Sequence, residues 1–163
     1  MTVTLRALQA GDEEAAVRWA ADEVFCRAAD WTPGLAPRVV RRHWQAIIAG
    51  GDPHFLRLGV IYGGALVGYV DLANLSAGAG ELGVALGERS LWGRGIARQA
   101  CEQLLTRAWA LGLARVTAQV DAHNDRSHAL MTRLGFQESG KAVAAPDSGD
   151  QPPVRQYMLL RPR

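Results

Sequence analysis

The chain has 163 residues, 48% of them apolar and 21% charged, with a formal charge of +2. That balance excludes a disordered or fibrous chain, and the length suffices to bury a core of its own. The arginines are spread out with no run of like charges, so nucleic acid is not implied; two cysteines, Cys26 and Cys101, are too few for a disulfide framework or a four-cysteine zinc site.

The start, "MTVTLRALQAGDEE", has no cationic stretch followed by an apolar core segment, and no run approaches the roughly 18 apolar residues of a membrane span. A cytoplasmic protein is predicted. Val3 and Leu5 alternate with polar residues as in a half-buried strand. "GDEEAAVRWAADEVF" (11–25) then reads as a helix capped by Asp12, with Glu13 and Glu14 in its first turn. After the breaker "WTPGLAP" comes a second helix, "RVVRRHWQAII" (38–48), with Val40, Trp44, Ile47 and Ile48 on one face and a stop at Gly50-Gly51. Two helices are therefore expected before the main sheet.

Three strands follow, "FLRLGVIY" (55–62), "ALVGYVDLANL" (65–75) and "ELGVAL" (81–86), with breaks short enough for antiparallel neighbours. From Ile96 the apolar positions 96, 97, 100, 101, 104, 105, 108 and 111 form one helical stripe closing at Gly112, which buries Cys101. The remainder reads as a strand "ARVTAQV" (114–120), a helix "NDRSHALMTRL" (124–134) closed by Gly135, a strand "FQESGKAV", a loop "APDSGDQPP" (145–153) and a final strand "VRQYMLL". The strand, helix, strand unit in the middle predicts a parallel pair with a right-handed crossover. No repeat or linker divides the chain. The expected fold is a single α/β domain over residues 1–163, with a mixed, mostly antiparallel sheet of about seven strands and about four helices.

Two glycine clusters compete for a ligand. "GAGELG" (78–83) has the spacing G-x-G-x-x-G, but that pattern signals a dinucleotide only when it follows a strand and opens a helix. Here it precedes a strand and reads as a turn. "WGRGIA" (92–97) does follow a strand and open the long helix, whose first amides lack partners and carry partial positive charge. Arg89, Arg94 and Arg98 surround the turn, so a pyrophosphate-type anion is expected there. The bland alternative is a tight connection whose glycines only permit the bend.

"ELGVALGERSLWGRGIARQA", followed by "VTAQVDAHNDRSHALMTRLGFQESG", resembles the GNAT superfamily of acetyl-CoA-dependent N-acetyltransferases, in particular the ribosomal-protein N-terminal branch. The family's coenzyme motif, R/Q-x-x-G-x-G/A, falls on Trp92 to Ala97, with tryptophan in place of Arg or Gln. Its later pattern falls on Asn124, Ser127 and Leu134-Gly135-Phe136, and the element order agrees from Val3 to Leu160. The resemblance implies the GNAT fold, with the strands "ELGVAL" and "ARVTAQV" splayed apart. It implies acetyl-CoA as co-substrate: Val84, Ala85 and Leu86 would hold the pantetheine arm, and the amides of Trp92, Gly93, Arg94, Gly95, Ile96 and Ala97 the pyrophosphate, with Arg89 and Ser127 nearby. Asn124 would touch the arm, cap its helix, or both.

The implied chemistry is direct attack of a neutral amine on the thioester. Many family members use a tyrosine seven residues after the asparagine to protonate the thiolate; here that position is Met131, which has no proton to give. Ser127 is the substitute that the ribosomal-protein branch suggests, its alternative being a small packing residue. Candidate bases are Glu81, the one preferred, Asp71 and Asp121, each with the alternative of a solvated strand-end carboxylate. His123 and His128 are either proton shuttles or surface and capping residues. Acceptor contacts would come from Trp31, His43 and Trp44, the last also reading as core, and from Asp147 and Asp150 in the loop before the last strand. The protein is thus expected to act on an amine, a protein N-terminus or a small molecule, as a monomer or homodimer without metal, nucleic acid or membrane. The rival is a catalytically silent GNAT-fold module that binds acyl-CoA.

Overall fold

The structure, a computed structural model, describes residues 1–142 and 153–163. Its elements are β1 (Val3–Ala7), α1 (Glu13–Ala20), α2 (Glu23–Ala28), α3 (Pro37–Ala49), β2 (Leu56–Tyr62), β3 (Ala65–Ser76), β4 (Ala79–Leu86), α4 (Ile96–Ala110), β5 (Arg115–Asp121), α5 (Asp125–Leu134), β6 (Gln137–Ala142) and β7 (Val154–Leu160). The strands form one seven-stranded sheet in the order β1-β2-β3-β4-β5-β7-β6. Every neighbouring pair is antiparallel except β4 with β5, the pair joined through α4. The expected mixed sheet and parallel crossover are both present.

The stripe beginning at Ile96 forms α4, and it buries Ile96, Ala100, Cys101, Leu104, Leu105 and Ala108. Gly112, at φ +89, turns the chain so that the Leu113 amide donates to the Ala108 carbonyl, 3.1 Å away, and closes the helix. On this face of the sheet α4 and α5 cover Val60, Val70, Leu72, Leu82, Val116 and Ala118. On the other face α1, α2 and α3 pack Trp19, Phe25, Val40 and Trp44 against Tyr69 and Ala85. Trp44 is 1% exposed, which settles its place as core.

Three local expectations are corrected. The stretch 11–25 is two helices, because Asp22 is extended (φ −98°, ψ 105°) and its carboxylate accepts the Val24 and Phe25 amides, starting α2 afresh. Three helices, not two, precede the main sheet. Asp12 does not cap α1: its carboxylate accepts two hydrogen bonds from the Arg6 guanidinium, at 2.8 and 3.0 Å, and one from the Gln9 amide at 2.8 Å. "GAGELG" is only partly turn, since β4 already begins at Ala79. A Cβ on Gly80 would lie 3.0 Å from Leu75 and 3.2 Å from Leu113, so that glycine serves close strand packing.

Candidate active site

β4 and β5 part company early. They pair only at Ala79 with Arg115, Gly80 with Val116 and Glu81 with Thr117, after which β4 runs on beside β3 and β5 beside β7. Among the described residues, the edge of β4 that faces β5 thus has no strand partner from Leu82 onward. A cavity of ≈ 370 Å³ lies at this edge, walled by Val84, Ala85 and Leu86, the turn before α4, the first turn of α5 and one side of α2.

Gly93 (φ +79) and Gly95 (φ +78) are both left-handed and both line the cavity. A Cβ on either would meet no atom within 4 Å, so the glycines answer to backbone conformation and to open space on the cavity side. α4 starts without a side-chain cap and without an acidic residue in its first turn. Among the described residues, no carbonyl accepts the amides from Gly93 to Arg98. Such a row of donors at a helix start stabilises an anion, and it fits a pyrophosphate-bearing ligand. The Trp92 amide is not among them, since it donates to the Arg89 carbonyl at 3.1 Å. The Trp92 indole instead donates to the Leu86 carbonyl at 2.9 Å and braces the turn against β4.

The arginines divide. Arg98 lines the cavity while its Nε donates to Glu102 at 3.0 Å. Arg94 is exposed. Arg89 is turned away, its Nε donating to Asp22 at 2.5 Å in a separate recess with Arg18, Trp19 and Glu88. In its place the cavity has Arg126 and Arg133 of α5, which the sequence reading missed; the Arg126 guanidinium sits 5.5 Å from the Trp92 ring centroid. Phe25, Ala28 and Ala29 of α2 were missed as well. The i, i+4, i+7 spacing of Arg126, Leu130 and Arg133 on α5 was available as a signal that they share a face, whereas no local pattern ties α2 to β4.

Asn124 both caps and lines: its Oδ1 accepts the Ser127 amide at 3.2 Å, and it stands on the cavity wall beside Ser127. Met131, one turn further, is buried in the core at 3% exposure. Glu81 sits on the last rung before the strands separate, and its Oε2 accepts from Asn74 at 3.0 Å. Asp71 is occupied, because the Arg57 Nε and Nη2 donate to its two oxygens at 2.6 and 2.8 Å. Burial pushes the Asp71 carboxyl above the usual range in spite of that guanidinium. Asp121 holds the backbone amide of His123 at 2.9 Å, and both residues are exposed. His128 bridges α5 to its surroundings, with Nε2 against the Ala122 carbonyl at 3.2 Å and Nδ1 against the Tyr157 hydroxyl at 2.6 Å.

Trp31, His43 and Trp44 do not line the cavity. The Trp31 indole donates to the Tyr69 hydroxyl at 2.7 Å, and burial, the largest influence, pushes that phenol up to about 12. His43 is exposed. Asp147 and Asp150 lie outside the described residues. Among the described residues no group of three or more His, Cys, Asp or Glu is placed to hold a metal, and no helix is long and apolar enough to cross a membrane.

Residues 2–137 match the profile described as "Acetyltransferase (GNAT) domain". The "Putative ribosomal N-acetyltransferase YdaF" of Bacillus subtilis (strain 168) is 35% identical over 94 residues, 56% of this chain and 51% of that protein. The chain thus spans about half the length of that relative. Among solved structures, a RimL ribosomal L7/L12 alpha-N-protein acetyltransferase in complex with coenzyme A superposes with a TM-score of 0.85 at 21% identity, over 98% of this chain and 94% of that one. RimJ of Mycobacterium smegmatis, in complex with CoA-disulfide, gives 0.83 at 23% identity over 97% and 81%. The spermidine N-acetyltransferase of Vibrio cholerae, in complex with CoA and spermine, gives 0.83 at 21% identity over 97% and 95%. These likenesses establish a shared fold. The profile match is the stronger statement, running from the first strand through the glycine turn and Ser127 to Gln137, and by it the chain belongs to the GNAT family of acetyltransferases.

Proposed function

We propose that this chain is one cytoplasmic acetyltransferase domain that moves an acetyl group from acetyl-CoA to a primary amine, either a protein N-terminal α-amine or a small-molecule amine. The row of amides from Gly93 to Arg98, open to a cavity beside an unpaired strand edge, carries the reading. Family membership supports it, as do relatives named for ribosomal proteins and for spermidine.

In this reading the free edge of β4 at Val84 to Leu86 pairs with the amide groups of the pantetheine arm, as a sheet edge accepts an added strand. The amides of Gly93 to Arg98 hold the pyrophosphate, with Arg98, Arg126 and Arg133 adding charge. The neutral amine attacks the thioester carbonyl, a C–N bond forms, the C–S bond breaks, and the thiolate leaves with a proton from Ser127. The amine's own proton passes through water to Glu81, the carboxylate on the last rung before the strands separate, and a proton from water restores the Ser127 hydroxyl. An α-amine, with a reference pKa of about 7.7–8.0, asks far less of that base than a lysine-type amine near about 10.4.

Thiol release measured over N-terminal peptides, polyamines, aminoglycosides and amino acids identifies the acceptor. Ser127→Ala should then lower turnover about 100-fold, far more than it lowers coenzyme A affinity. Turnover equal to wild type removes Ser127 from the acid role. The buried Met131 favours a second reading, a module that binds acyl-CoA without turnover. Binding without thiol release on any acceptor selects it, and no binding at millimolar coenzyme A refutes both.

A further inference from the structure

Arg89 stands three residues before the turn that carries Gly93 and Gly95, a position that suggests a phosphate ligand. Its side chain goes elsewhere. The two oxygens of Asp22 have different tasks: Oδ1 accepts the Val24 and Phe25 amides and starts α2, at 3.0 and 3.4 Å, while Oδ2 accepts from Arg89 Nε. The hydrogen bond from Arg89 is the main influence holding the Asp22 carboxyl below its usual range. Beside it the Trp19 ring covers Gly87 so closely that a Cβ there would lie 2.1 Å from the indole, and Trp19 Nε1 donates to Glu88 at 3.4 Å. At the other end of α2 the Trp31 amide donates to the Cys26 carbonyl at 2.8 Å and the Trp31 indole to Tyr69. A helix this short has little stability of its own, so these ties set where it stands. What it presents to the cavity is Phe25, Ala28 and Ala29.

We propose that Arg89 is a positioning residue: by clasping Asp22 it couples α2, a wall of the coenzyme cavity, to the segment that carries the amide cradle. The proposal rests on the acetyltransferase reading. Arg89 touches no coenzyme in this arrangement and acts only through α2. The side chains of Arg89 and Asp22 are 50% and 27% exposed, and a pair in that setting shifts an equilibrium by no more than about fivefold.

The test compares Asp22→Asn, Arg89→Met and the double variant by calorimetric titration with coenzyme A and by thermal melting. Asparagine caps a helix as well as aspartate, so Asp22→Asn removes the ion pair and keeps the cap. Each single variant should weaken coenzyme A binding by the same factor, about two- to fivefold, and the double variant by no more. Arg89→Met weakened with Asp22→Asn at or above wild-type affinity would mean that Arg89 meets a phosphate directly, overturning the proposal. Lower melting temperatures with unchanged affinity would reduce the pair to a structural one and overturn it as well. A wild-type protein that does not bind coenzyme A is a distinct result, which refutes the acetyltransferase reading and the role of Arg89 together.

Discussion

Alanine at Gly95 and alanine at Gly112 form a matched pair, because the two glycines stand at opposite ends of α4 with nearly the same backbone. Gly95 has φ +78 and Gly112 φ +89, and a Cβ on either meets no atom within 4 Å. Neither substitution clashes, so each carries only the left-handed penalty of about 1–2 kcal/mol, offset by about 0.4–1 kcal/mol from the stiffer unfolded chain. A net loss of about 1 kcal/mol lowers the melting temperature of a domain this size by about 2–4 °C, and both variants should show it. Only Gly95 lines the cavity. There the new methyl stands among the amide donors, and the loss of one charge-assisted hydrogen bond, about 1.5–3 kcal/mol, weakens binding at least tenfold. Calorimetric titration with coenzyme A should therefore show Gly112→Ala at wild-type affinity and Gly95→Ala at least tenfold weaker. Equal affinity losses in the two variants, or wild-type affinity in Gly95→Ala at a lowered melting temperature, would refute the cradle.

Two further outcomes concern the scaffold. Against the cost of its burial, the hydrogen bonds from Arg6 and the Gln9 amide hold the Asp12 carboxyl below its usual range. A lowered folded value stabilises the native state above the unfolded value of about 3.9, and that stabilisation fades as pH falls through the folded value. Urea unfolding should show a wild-type advantage over Asp12→Asn that is full above about pH 5 and shrinks below pH 4; an advantage constant down to pH 2 refutes the assignment. Asp71→Ala should cost about 3–5 kcal/mol, because Arg57 and Asp71, 11% and 14% exposed, would leave a guanidinium buried between Trp44 and Tyr69 without its acceptor. Replacing both, as Arg57→Met with Asp71→Leu, should cost much less in the same denaturation measurement; equal losses would deny the pairing.

What the sequence made legible was local. The stripe from Ile96 gave the extent of α4, Gly112 and Gly135 gave two helix ends, and the strand, helix, strand order gave the parallel pair. The glycine turn before α4 was visible because the glycines, the preceding strand and the following helix are contiguous. Illegible were the partners set by long-range packing. Nothing near Arg89 announces Asp22, and nothing near Arg57 announces Asp71, since each pair meets only once the sheet has formed. Asp12 was misread because two uses of one carboxylate, a cap or a partner for Arg6, look alike until β1 places the arginine beside it. The break at Asp22 was hidden for the opposite reason: its flanks share one helical pattern, and only the extended Asp22 backbone separates them.

Among the described residues, the three residue pairs that join β4 to β5 are the whole of the ladder between one half of the sheet, β1 to β4, and the other, β5 to β7. In the proposed reading, a pantetheine arm lying along the open edge of β4, with Asn124 and Ser127 on the same cavity wall, would supply rungs that the polypeptide omits. Ligand bound only to the folded state adds about 2.7 kcal/mol at a hundredfold excess over its dissociation constant. Under the proposed function, bound coenzyme A would then raise the stability of the seam as well as serve the reaction, and substitutions that weaken the seam would be offset at saturating coenzyme.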